Sequence, residues 1–220
     1  MKRYDTISRP VLPSLVAVVA AAVFHLWLPA ALAYEQPRNT ISLGFQLQYG
    51  MINGQTEELP EDVVFGAWPK LFESGEGIAI RLKYSTARNR AFGLSLEDQR
   101  YRRKSGLGSA YPKQLQMTLY MLDYYLYFHR PTRTSRYIVF GAGLFRPVIR
   151  EITKEPVSGR ELEQDIFPGE DLVISVGGGI EYFVGRRAAI DFSIRAYGYR
   201  SEPTLTGSGE VAIGLHYYTK

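Results

Sequence analysis

Cysteine is missing from all 220 residues of the chain. That excludes a lipid carried on cysteine and any disulfide, so stability must come from burial and backbone pairing. Histidine is scarce: beyond residue 33 only His129 and His216 occur. Two histidines without a nearby third ligand are a weak metal signal. No G-x-S-x-G frames a nucleophile, and Ser201 has no adjacent histidine. No catalytic, cofactor-binding or metal residues are therefore expected. A large charge of one sign is also lacking. The formal charge is +4, and Lys2, Arg3, Arg9 and Asp5 account for +2 of it. The remaining +2 is too little to argue for nucleic acid. Nor does any apolar run after residue 33 reach the length of a transmembrane helix. A chain of this kind can enter a membrane only as strands.

The first 33 residues differ from the rest. Lys2, Arg3 and Arg9 give a basic start, Leu15–Leu28 is apolar apart from His25, and Ala31-Leu32-Ala33 has small residues at both flanks. This is the layout of a cleaved signal peptide over residues 1–33. Its apolar core is too short to cross ~30 Å of hydrocarbon. One domain over residues 34–220 is expected to follow.

Tyrosine, phenylalanine and glycine are plentiful, at 16, 11 and 21 residues, which favours strands and tight turns. Eight segments alternate with a two-residue period: about Thr40–Gly50, Gly77–Ser85, Ala91–Glu97, Gln114–Phe128, Arg136–Phe145, Asp171–Phe183, Arg187–Tyr199 and Gly209–Tyr218. One face of each is free of charge, as with Ala188, Ile190, Phe192, Ile194 and Ala196. The opposite faces mix glycine, small residues and charge. A soluble lipocalin-like carrier would bury the apolar face. A membrane barrel turns it toward lipid.

The connections favour the membrane barrel. Long ones (Met51–Glu76, Asp98–Lys113, Arg146–Glu170) alternate with short ones (Thr86–Arg90, His129–Ser135, Val184–Arg186), and Arg200–Ser208 is of middling length. Up-and-down membrane barrels have long loops at one end and short turns at the other. The expected fold is all-β: eight antiparallel strands closed into a transmembrane barrel.

With this layout, with Tyr137–Phe145 (YIVFGAGLF) and Gly177–Tyr199, and with the aromatic-rich final strand EVAIGLHYY, the chain resembles the small eight-stranded outer-membrane β-barrels, the OmpA/OmpX-like class. The resemblance implies residence in the bacterial outer membrane. It also implies contact with membrane lipid and lipopolysaccharide, insertion by the assembly machinery that reads the last strand, and a monomer. The expected role is structural or surface interaction through the long loops; the alternatives are a lipid A-modifying hydrolase, since some members of this architecture modify lipid A, and a soluble lipocalin-like periplasmic carrier.

Two groups of residues stand out. Arg81, Lys83 and Arg195 fall on the inward faces with Asp123, Glu181 and Asp191, and His216 lies inward near the end of the last strand. Eight strands leave an interior just wide enough for side chains, and buried charges must pair. A lumen plugged by a balanced ionic network is expected. The second group is Arg100, Arg102, Arg103, Lys104 and Lys113, a basic stretch with Tyr101 and Tyr111 interleaved. It is a candidate for binding lipopolysaccharide phosphates or another polyanion, although charged loops are more often simply solvated. The short turns carry Arg88, Arg90, Arg130, Arg133, Arg136, Arg186 and Arg187 and no acid. Gly141-Ala142-Gly143 and Gly177-Gly178-Gly179 lie within strands, so they are read as sites of close approach, not phosphate cradles.

Overall fold

A computed structural model describes residues 39–53, 71–87, 89–106, 112–128, 133–154, 161–167, 169–201 and 204–219. The leader expected over residues 1–33 lies outside them, as do Arg88, His129 and Arg130. The strands are β1 (Thr40–Asn53), β2 (Phe72–Ala87), β3 (Arg90–Arg103), β4 (Gln114–Phe128), β5 (Thr134–Lys154), β6 (Glu161–Ile166), β7 (Asp171–Phe183), β8 (Ala188–Ser201) and β9 (Thr204–Tyr218). All pairings are antiparallel. The order is β4-β3-β2-β1-β9-β8-β7-β5-β6, and β4 also pairs with β5. Eight strands thus close on themselves, while β6 pairs only with the overhanging end of β5, from Ile149↔Ile166 to Lys154↔Glu161. The ring is sealed where β1 meets β9, in register from Ser42↔Tyr218 to Asn53↔Gly207. We call the end bearing Thr40 and Tyr218 the near end and the other the far end.

The side chains are inverted relative to a soluble barrel. Ile174, Leu122 and Leu94 are about as exposed as such side chains can be in a sheet, at 63%, 60% and 57%. The alternate positions are buried although many are polar: Ser42, Gln46 and Gln48 on β1, Arg81 and Lys83 on β2, Asp191, Ser193 and Arg195 on β8. Phe192 is 52% exposed, whereas a soluble carrier would shelter it. Covering these faces requires hydrocarbon. Closure leaves no unpaired edge in the eight-strand wall, which a strand surrounded by lipid requires.

The strands outrun the expected segments at the far end. Fourteen residues rising ~3.3 Å each at a tilt of ~40° span roughly 35 Å, more than the ~25 Å apolar band. The surplus is strand standing in water, and its outward positions are polar: Glu76, Asp98, Arg100 and Arg102. Three expectations change accordingly. The third strand ends at Arg103 and not at Glu97, so Arg100, Arg102 and Arg103 belong to a strand and not to a loop. The connection Arg146–Glu170 is mainly the β5–β6 hairpin. Between β8 and β9 only residues 202–203 remain, because Ser201 pairs with Thr204. Periodicity faded at these places because strand backbone there no longer needs an apolar outward face.

Candidate functional site: the filled bore and the far rim

Inward side chains occupy the bore in layers. At its near end lies a cluster of Tyr125, Tyr127, Tyr137, Ala91 and Val139, and beside it Phe183, Ala189 and Tyr218. Above it Lys83 of β2 donates to Glu181 of β7, 2.6 Å away. These strands stand opposite each other in the ring, so the bond crosses the full bore. Tyr127 and Tyr218 also donate to Glu181, at 3.2 and 2.7 Å. The Lys83 ammonium lies over the Tyr125 ring, 4.6 Å from its centre. Asp191 accepts from Tyr137 at 2.9 Å and from the Gln46 amide, and His216 Nε2 is 3.4 Å from it.

The next layer holds the two arginines. Arg195 grips Asp123 with both terminal nitrogens, at 2.9 and 3.0 Å. Two parallel charge-assisted bonds fix a planar guanidinium firmly. Arg195 also donates to the Tyr125 hydroxyl at 2.8 Å. Arg81 donates to Glu97 at 3.3 Å and lies 3.8 Å from Glu210. The Tyr197 hydroxyl is 2.8 Å from Glu97 and 3.1 Å from Glu210. Gln48 and Gln99 amides donate to Glu210 at 3.0 and 2.6 Å.

All seven interior residues marked from the sequence, Arg81, Lys83, Asp123, Glu181, Asp191, Arg195 and His216, lie buried in this one network. Two carboxylates were missed. Glu97 was placed at a strand end and Glu210 at a strand start. Parity would have found them: Glu97 alternates with Leu94 and Leu96, and Glu210 precedes the outward Val211. With them the network is not balanced. Among the described residues it holds three cations and five carboxylates.

Inward glycines make room for these side chains. A methyl group on Gly44 would stand 2.2 Å from His216 Cε1, and one on Gly141 would stand 2.6 Å from Asp123 Oδ1. The far third of the bore is apolar instead: Leu115, Met117, Leu119, Phe145, Ile149 and Phe72 pack with Tyr101 and Tyr199. The sequence reading put only glycine, small and polar residues inside, and β4 departs from that by being apolar on both faces.

Of the second group, Arg100, Arg102, Arg103 and Lys113 line an open cavity of about 480 Å³ with Glu76 and Gln114. Lys104 follows directly after β3. The cluster is partly neutralised from within. Arg102 lies 3.2 Å from Glu76, and Arg100 lies 3.6 Å from Asp98.

No protein-family model and no curated protein matches the chain by sequence. Solved structures do. Neisserial surface protein A is similar over 80% of this chain and 96% of its own, at 13% identity and a TM-score of 0.57. The fold is that of the small outer-membrane β-barrels. Two weaker likenesses are Ail, the attachment invasion locus protein of Yersinia pestis, and OprG of Pseudomonas aeruginosa. Ail has 12% identity, covers 83% of this chain and 100% of its own, and scores 0.48. OprG has 10% identity, covers 83% and 96%, and also scores 0.48.

Proposed function

We propose that this chain is an integral outer-membrane barrel that conducts nothing through its bore and works at its far rim, as a rigid support for surface contacts. Its near end, which bears Thr40 and Tyr218, faces the periplasm. One observation carries the reading: Lys83–Glu181 and Tyr197–Glu97 join opposite walls of the bore through fully buried side chains. An ion would have to break such pairs to pass. Planar-bilayer recording of the folded chain tests this. Only a silent membrane is expected, and a large steady conductance overturns the sealed bore and turns the assignment toward a channel.

At the far rim, Arg100, Arg102, Arg103 and Lys113 suit a phosphate or sulfate group, and lipopolysaccharide is the nearest source of one in this membrane. Retention of the detergent-solubilised barrel on dextran sulfate, and its loss in R100Q/R102Q, checks that assignment. The lipid A-modifying hydrolase is not favoured. His216 is buried against Asp191 inside the bore, while an acyl substrate would lie outside the wall.

A further inference from the structure

We infer that the near rim is a binding surface for anionic phospholipid, formed by arginines that stand just beyond a belt of aromatic side chains. The inference rests on the proposed membrane orientation, which turns this rim to the inner leaflet.

The belt consists of outward residues at the near ends of the strands. Tyr84, Phe92, Phe128, Tyr182 and Tyr217 are all close to half exposed. Aromatic side chains form girdles at the level between hydrocarbon and head groups. Arg90 stands two positions before Phe92, nearer the rim on the same outward face. At ~3.3 Å per residue and a tilt of ~40°, that is roughly 5 Å farther along the membrane normal, the depth of the lipid phosphates. Arg133 lies in the β4–β5 turn and Arg187 in the β7–β8 turn, and both are exposed. Arg187 donates to the Tyr217 hydroxyl at 3.4 Å, which ties this guanidinium to the belt. The three arginines stand at the three connections where the chain crosses between strands at this end, with the β1–β9 seam as the fourth corner, so they surround the barrel.

The contrast with the far rim identifies the partner. There three arginines have carboxylates close by: Arg102 has Glu76 at 3.2 Å, Arg150 has Asp165 at 3.1 Å and Arg100 has Asp98 at 3.6 Å. At the near rim no carboxylate among the described residues faces outward. Glu181 and Asp191, the acids nearest this end, point into the bore. With no facing carboxylate, Arg90, Arg133 and Arg187 are open to an external anion. A zwitterionic lipid brings its own ammonium to the phosphate and competes poorly. A lipid with net negative charge, such as phosphatidylglycerol, fits.

The test uses the full chain folded into phosphatidylcholine bilayers that contain spin-labelled phosphatidylglycerol or spin-labelled phosphatidylcholine. Electron spin resonance gives the relative association of each lipid with the wall. Heat-modifiable gel mobility reports folding separately, so a failure to insert counts against the membrane reading and not against this one. Phosphatidylglycerol should be preferred by roughly fivefold for each arginine engaged, and the preference should shrink in high salt. R90Q/R133Q/R187Q should abolish it, while R100Q/R102Q should keep it. Equal association of both lipids with the native barrel overturns the inference, as does a preference that survives the triple variant or disappears with the far-rim pair. If the triple variant does not fold, R133Q alone and the salt series on the native barrel decide by the same criteria.

Discussion

The middle of the bore and its far third solve one packing problem with opposite chemistry. Both are inward faces of the same eight strands, enclosed by the same wall. The middle is filled by Arg81, Lys83, Arg195 and five carboxylates, the far third by Leu115, Met117, Leu119, Phe145 and Ile149. The two regions differ in what a single loss leaves behind. An apolar side chain removed leaves a void. A charge removed leaves its partner buried without compensation, which costs more than the pair contributed. The middle is therefore the less forgiving region, although it is not necessarily the more stabilising one.

Substitutions can break this comparison. Asp123→Ala should cost roughly 3–5 kcal/mol by stranding Arg195, read as a lower urea midpoint for the chain unfolded from lipid bilayers. Replacing both partners, as D123L/R195M, should restore most of that loss. If the double variant is worse than the single one, the ionic middle stabilises the barrel in its own right. Leu119→Ala in the far third should cost about 3 kcal/mol, as a partly collapsed cavity does. A cost equal to that of Asp123→Ala would erase the distinction. Gly44→Ala should cost about 1–3 kcal/mol by forcing His216 aside. Gly198→Ala faces outward, where the nearest atom would be an ordinary 3.4 Å from the new methyl, and should be nearly neutral in the same titration. Tyr197→Phe is expected to cost least among the inward changes, about 1 kcal/mol for a lost hydrogen bond. The Tyr197 hydroxyl has one proton for two carboxylates, so its removal costs only one donated bond.

The outer wall was legible from sequence and the bore only in part, for a physical reason. Lipid makes the same demand of every outward position. Leu94, Leu122, Ile174 and Phe192 therefore declared themselves by alternation alone. An inward position answers to whichever side chains face it across the bore. Asp123 and Arg195 were both read as inward, but that they meet could not be read from residues 72 positions apart. Nor could the far half of β4 be assigned, because Leu115, Met117 and Leu119 alternate with Gln116 and Thr118 and so read, by the same rule, as an outward face although they are buried. The lost strand ends follow from the same rule. Arg100 and Arg102 continue β3 into water, where no hydrocarbon demands an apolar outward face.

The seam between β1 and β9 has a consequence for how the barrel is made. Ile41 accepts from Thr219 and donates to it, across 178 residues, and the strands behind them run in unbroken register. The first stave of the cask is thus bound by the last one made. Until Thr204–Tyr218 arrive, β1 and β8 each present a bare row of amides and carbonyls that hydrocarbon cannot satisfy. Such a half-built sheet has no resting place in hydrocarbon, so the last stave must close on the first as the barrel enters the bilayer.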